Sequence, residues 1–184
     1  APASLDPLRA AKSNDPELFT ELKDDPAKLK ARENRTIVYR VLTDDGSGEV
    51  ELYVFPIRGY GLWSTLYGFL ALQSDLNTIK GITYYQHGET PGLGGEVDNP
   101  DWKAKWVGKT LYDADGNVAL QVVKGGADPD AVDEVDALSG ASITTQGVEN
   151  MIHFWFGDMG FKSYVDQNRS GPTSTADFGG REVR

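Results

Sequence analysis

Val148, Met151, Ile152, Trp155 and Phe156 fall at i, i+3, i+4, i+7 and i+8, a period that puts all five on one face of a helix. That stripe predicts a core-facing helix, with Gly157 as its stop. The middle of the chain has a different pattern. "TIVYRVL" and "EVELYVFPI" are β-branched and aromatic, and "DDGSG" between them reads as a hairpin loop. "LWSTLYGFLAL" is apolar on both faces, which predicts a buried strand; after the turn "QSDLN", the stretch "TIKGITYYQH" pairs with it. "NPDWKAKWVGK" opens on Asn-Pro and predicts a short helix, and "TLYDADGNVALQVVKGG" returns to strand, turn, strand. At the N-terminal end "DPLRAAKSNDPELFTELKDDPAKLKAREN" is rich in Lys, Glu, Leu and Ala. Asp15-Pro16 and Asp25-Pro26 each have the form of an N-cap followed by a first-turn proline, so this segment is expected to be helical with solvated charges. A shorter helix is expected around "FKSYVDQ", and "RSGPTSTADFGGREVR" has the composition of a flexible tail.

Composition narrows the chemistry. The 184 residues, 39% of them hydrophobic, suffice for one well-packed domain with or without an N-terminal appendage. A formal net charge of -10 argues against nucleic acid, because phosphate backbones are bound by basic surfaces. The chain has no cysteine, which excludes disulfides, thiolate metal sites, iron-sulfur ligation and cysteine nucleophiles. Redox chemistry would have to be borrowed from a cofactor. The longest apolar run, near "GFLAL", is far too short to span a bilayer, and no signal peptide precedes "APASLDPLRAAKSND".

Several motifs invite a site. In "YDADGN" the alternation of Asp113, Asp115 and Asn117 resembles a calcium loop, but Val118 and Lys124 stand where glycine and glutamate are needed, so a hairpin turn is the better reading. "PGLGGEV" lacks the third glycine of a dinucleotide fingerprint and runs into Asn99-Pro100. His153 lies within the amphipathic helix, as packing or surface. His87 opens "HGETPGLGGE", a loop that either serves a ligand through His87, Glu89 and Thr90 or is an ordinary hydrogen-bonded turn. "SGAS" has no G-x-S-x-G context for a serine nucleophile. Ser139, Ser142, Thr144 and Thr145 instead collect at a helix start, where free N–H groups and the positive dipole end suit a phosphate, or merely cap the helix. Gly147, one turn in, costs about 1 kcal/mol against alanine and hints at a close approach of backbone or ligand. The acidic run Asp128, Asp130, Asp133, Glu134 and Asp136 would weaken reversible phosphate binding, which makes covalent attachment the more sensible arrangement.

"DALSGASITT" resembles the flavinylation motif (Asp, two residues, Ser or Thr, Gly, Ala, Ser or Thr, one residue, Thr) of domains that carry FMN through a phosphoester on the final threonine, here Thr144. With "HGETPGLGG", "GYGLWS" and "FWFGDMGF", most of residues 34–168 resembles the C subunit family of the sodium-translocating NADH:quinone oxidoreductase. The related G subunit of the Rnf electron-transport complex shares the threonine motif and "ETPGLG"; Leu62-Trp63-Ser64 favours the quinone reductase. A module that binds phosphate non-catalytically, or nothing, is the remaining alternative. Ser142 stands where many members have threonine, which keeps the hydroxyl.

The resemblance implies an α+β fold, a twisted and mainly antiparallel sheet flanked by helices. It implies a helical segment over 1–33 that follows a membrane anchor, an FMN-binding domain over 34–168 and a tail over 169–184. It also implies a separate flavin transferase, using FAD and a divalent metal, that reads Asp136, Ser139, Gly140 and Ala141. The domain would lie on the periplasmic side of the inner membrane and relay electrons from NADH toward quinone among the other subunits, with sodium translocation. Expected FMN contacts are Leu62, Trp63 and Leu93 as apolar walls and Glu89, Thr90 and the backbone near Gly92 and Gly94 at polar edges, with Ser142, Thr145 and Gly147 beside Thr144. No catalytic residue and no metal ligand is expected.

Overall fold

A computed structural model describes residues 6–13 and 15–169. Asp6 caps α1 (Pro7–Ala11) by accepting the Arg9 N–H at 3.0 Å, and the helix ends after those five residues. The rest of the supposed helical segment is an antiparallel pair, β1 (Phe19–Glu21) and β2 (Ala31–Glu33). This corrects the helical expectation for residues 15–33. Asp25 caps no helix: its carboxylate accepts the Leu29 and Lys30 N–H groups at 2.9 and 2.6 Å, closing a turn. Lys28 and Lys30 sit at φ 54° and 67°, left-handed values that interrupt a right-handed helix. The Asn34 side chain donates to the Glu17 and Phe19 carbonyls, so pairing across the chain overrides a helix propensity that is individually weak.

The central sheet is an antiparallel meander of β3 (Tyr39–Leu42), β4 (Val50–Tyr60), β5 (Thr65–Gln73) and β6 (Ile79–Gln86), as the sequence pattern predicts. β4 and β5 pair from Leu52 opposite Gln73 to Tyr60 opposite Thr65, which aims the short Gly61–Ser64 turn at one end of the sheet. On β5, Leu66, Leu70 and Leu72 are fully buried while Tyr67, Phe69 and Ala71 are half-buried. The strand therefore alternates, a correction to the reading of burial on both faces; only one face is roofed by helix.

Asn99 caps α2 (Pro100–Ala104) with its side chain on the Asp101 N–H, and this helix buries Trp102. "YDADGN" is a turn in which the Asp113 carboxylate accepts the Asp115 and Asn117 N–H groups at 2.9 and 2.8 Å. The expected hairpin across it amounts to one bridge, Tyr112 to Val118. β7 (Gln121–Val123) pairs instead in parallel with β8 (Glu134–Asp136), a strand hidden in the sequence by its acidic surroundings.

The stripe of α3 (Ser142–Phe156) is core: Val148, Met151, Ile152 and Phe156 are fully buried and Trp155 nearly so. α3 lies on the inner face of β4. The Phe55 and Phe156 rings meet edge to face at 5.2 Å, and Trp155 Nε1 donates to the Arg58 carbonyl at 2.7 Å. Gly157 ends the helix in extended backbone at φ -85°, and α4 (Lys162–Arg169) follows. The architecture is α+β, with an antiparallel sheet and few helices. The expected tail beyond Arg169 lies outside the described residues. Among the described residues, no helix is long and apolar enough to cross a membrane.

Candidate functional site

Three segments converge at the end of the sheet where β4 turns into β5: the Gly61–Ser64 turn, the loop after β6, and the first turn of α3. Glu89 joins them. Its Oε1 accepts the Trp63 and Ser64 N–H groups at 2.9 and 3.1 Å, and its Oε2 accepts the Leu62 N–H at 3.2 Å. The Thr144 hydroxyl donates to the same Oε2 at 2.7 Å. Both side chains are enclosed: Glu89 is 6% exposed and Thr144 1%. Burial pushes the Glu89 carboxyl up, but the bonds from Thr144 and from the Trp63, Leu62 and Ser64 N–H groups outweigh it and hold it below the usual glutamate range.

The loop is shaped to present Glu89. His87 Nδ1 accepts the Glu89 N–H at 3.2 Å while its Nε2 meets Asp98 Oδ2 at 2.8 Å, and Ser64 Oγ accepts the Gly88 N–H at 2.7 Å. The exposed Thr90 serves through its carbonyl, which accepts the Leu93 and Gly95 N–H groups at 3.1 and 2.9 Å around Gly92 at φ 75°. Gly94 allows the approach: a Cβ there would sit 2.5 Å from Thr144 Oγ1 and 2.7 Å from Glu89 Oε2. Gly61 is similar, its would-be Cβ 2.7 Å from Glu89 Oε1.

The sequence motif occupies the other side. Ala141 is the N-cap of α3 and has no side-chain oxygen to offer the first-turn N–H groups. Thr145 does not cap either; its hydroxyl accepts the Leu138 N–H at 3.1 Å. Ser139, Gly140 and Ser142 are exposed. Gly140, at φ 70°, takes a left-handed conformation suited to glycine, and a Cβ on it would meet Leu93 Cδ2 at 3.0 Å. Gly147 faces the Tyr60 carbonyl, so backbone contact alone explains its lack of a side chain. Asp136 is engaged structurally: it pairs with Lys105 and accepts the Ala127 N–H at 2.6 Å, while its carbonyl accepts Trp102 Nε1 at 2.8 Å. The Lys105 ammonium, first among several partners, holds its carboxyl below the usual range.

Leu62, Trp63 and Leu93 remain exposed, at 38, 64 and 44%, the first two on the turn that Glu89 binds and the third packed close against Gly140. Exposed apolar side chains beside a helix start without a side-chain cap fit a ligand with a flat ring and a phosphate. Beside the same helix turn a cleft of about 200 Å³ opens, lined by Lys28, Tyr60, Gly61, Ser142, Ile143 and Gly147. Lys28 and Tyr60 were not anticipated from sequence, because the turn carrying Lys28 was expected to be helix. His153 lies apart, its Nε2 on the Leu120 carbonyl at 2.7 Å. Among the described residues, no three His, Asp or Glu side chains form a group that could hold a metal ion.

Residues 61–157 match the family model described as the FMN-binding domain. The chain is 55% identical over 175 residues to the C subunit of the Na(+)-translocating NADH-quinone reductase of Pseudomonas aeruginosa, covering 92% of this chain and 65% of that protein. With the protein of the same description from Vibrio parahaemolyticus it shares 47% over 169 residues, covering 92% of this chain and 64% of the relative. It thus spans just under two thirds of the length of these relatives. Among solved structures, Shewanella oneidensis NqrC superposes with a TM-score of 0.84 at 42% identity, covering 91% of this chain and 76% of that one. The corresponding C subunit from Parabacteroides distasonis gives 0.60 at 33% identity, covering 73% and 63%. A family match that holds the Glu89 loop, the Gly61–Ser64 turn and Thr144 together, with relatives this similar, places the chain in the FMN-binding domain family, alongside the C subunits of Na(+)-translocating NADH-quinone reductases.

Proposed function

We propose that this domain carries FMN in a phosphoester to Thr144 and relays electrons within a membrane-bound NADH:quinone reductase that translocates sodium. The observation that carries the reading is the setting of Thr144. It is the last threonine of the flavinylation motif within "DALSGASITT", its hydroxyl is held by one carboxylate, and Leu62, Trp63 and Leu93 expose apolar surface on the adjoining segments. A ring resting against these side chains keeps an edge in solvent, as an electron carrier must. FMN, when attached, supplies the redox chemistry; the chain has no thiol of its own to supply it. The Ser142 to Thr144 N–H groups at the start of α3 offset phosphate charge, and Lys28 borders the same cleft.

A covalent bond makes retention independent of affinity, which matters in a chain with a formal net charge of -10. A separate transferase brings FAD, and Asp136, Ser139, Gly140 and Ala141 form the segment it reads. Electron donors and acceptors are cofactors on neighbouring subunits, and the domain resides on the periplasmic face of the inner membrane, tethered by a segment outside residues 1–184. Residues 34–168 are the flavin-carrying unit.

Coexpression with a flavin transferase tests the reading. The purified domain should be yellow, keep its colour through denaturation and filtration, and gain the mass of FMN less water on a peptide containing Thr144. The Thr144→Ala protein should be colourless. Flavin released on unfolding, or mapped to another residue, would sink the assignment.

A further inference from the structure

We propose that Glu89 is a catalytic residue in the domain's own modification: its Oε2 takes the proton of Thr144 Oγ1 as that oxygen is joined to the flavin phosphate. The inference rests on the reading of Thr144 as the attachment point. A threonine hydroxyl is a weak nucleophile that needs a base within hydrogen-bond reach, and the oxygen at 2.7 Å is Glu89 Oε2. The carboxylate is held in place for this. Three consecutive backbone N–H groups from Leu62, Trp63 and Ser64 fix it, the Ser64 hydroxyl donates to Oε1 at 3.4 Å, and the Thr144 hydroxyl is the donor on Oε2 beside the Leu62 N–H. The missing side chain at Gly94 leaves space beside both oxygens.

The other titratable groups around Glu89 are already committed. His87 is bonded to Asp98 and to the Glu89 N–H, and Glu96 accepts the Asn99 side chain at 2.7 Å. The Gly61–Ser64 turn contributes none.

A carboxylate is a weak base, but phosphoryl transfer makes little demand on it. The transition state is loose and the nucleophile loses its proton late, so a positioned carboxylate suffices, as an aspartate does in protein kinases. Thr144 Oγ1 bonds the flavin-side phosphorus of FAD, a flavin dinucleotide with a diphosphate bridge. The bond from that phosphorus to the bridging oxygen breaks, AMP leaves with its electron pair, and Glu89 receives the hydroxyl proton. No oxidation or reduction occurs. The proton also resolves a conflict in the product. An ester oxygen cannot donate, so an ionised Glu89 would face it acceptor to acceptor beside a new negative charge, whereas a protonated Glu89 donates.

The test is the time course of mass gain with FAD, Mg²⁺ and a flavin transferase, from neutral pH down to below the usual glutamate range, for the wild type, Glu89→Gln and Thr144→Ala. Glu89→Gln should be labelled on Thr144 roughly 100-fold more slowly. The ratio of wild-type to Gln rates should fall as pH drops through the carboxylate range; transferase ionisations cancel in that ratio. Equal rates, or a slow variant whose ratio does not change with pH, would overturn the proposal. If Glu89→Gln fails to fold, the wild type decides alone: carbon NMR of the Glu89 carboxyl should titrate at higher pH in the flavin-loaded domain than in the unloaded one, and identical titrations overturn it. A wild type that gains no flavin on Thr144 refutes the attachment reading instead.

Discussion

The carbonyl oxygen of Tyr60, at the end of β4, occupies the place where a side chain on Gly147 of α3 would begin; a Cβ there would overlap it. One turn further along, a Cβ on Gly59 would lie 2.7 Å from Met151 Cβ, so helix and strand approach through two glycines. Gly147→Ala gains about 1 kcal/mol of helix propensity. It loses more by pushing a backbone carbonyl, since overpacking costs about 1 to 3 kcal/mol. The expected outcome is a lower urea midpoint at unchanged m value; a stabilised variant would contradict the close approach.

Glu33 and Arg58 form a two-pronged buried pair, Nη1 to Oε1 at 3.1 Å and Nη2 to Oε2 at 2.6 Å, with the guanidinium 5.0 Å from the Trp155 ring centre. Glu33 is 3% exposed and Arg58 8%. Glu33→Ala strands a buried cation and should cost about 3 kcal/mol. The double variant Glu33→Ala with Arg58→Met should lose less than the sum of the two. Additive losses in a double-mutant cycle would argue against the coupling.

Stability should depend on pH through Glu89. Its carboxyl is held below the usual range in the folded chain. The contribution is therefore full above the ordinary glutamate range and disappears as pH falls through the depressed folded value. Thr144→Val removes one donor to a charged acceptor, a loss of about 1.5 to 3 kcal/mol at neutral pH. In urea melts across acid pH the gap between the two proteins should narrow. A gap of constant size would mean that the hydroxyl does not stabilise the ionised form.

Gly94→Ala should separate folding from modification. The added methyl displaces the Thr144 and Glu89 oxygens rather than a strand, because those are the atoms it meets. A loss of about 1 to 2 kcal/mol is expected, with the fold retained. Flavin incorporation measured by intact mass should fall well beyond what that loss explains. Wild-type labelling would show that the space at Gly94 is not used.

Periodicity and residue type made the meander and the α3 stripe legible, and the Asn-Pro start did so for the Asn99-capped helix, because alternation, the 3.6-residue period and capping follow from local backbone geometry. Composition and the Asp-Pro pairs misled over residues 15–33, where Asp25 closes a turn on the Leu29 and Lys30 N–H groups and Asn34 binds carbonyls at Glu17 and Phe19 beside a strand pair. The pattern also gave no sign of β8, three residues whose partner lies 13 positions away at Gln121.

The linear chain by itself determined which residues could do chemistry: a threonine closing the motif in "DALSGASITT", a glutamate ahead of a glycine turn, and no thiol to compete with a borrowed cofactor. Only the folded arrangement decided that Glu89 and Thr144, 55 positions apart, share a hydrogen bond. The register of β4 on β5 and the glycine-mediated docking of α3 bring them together, and neither is encoded in any local window. Side-chain type is a local property; distance between side chains belongs to the whole packed core.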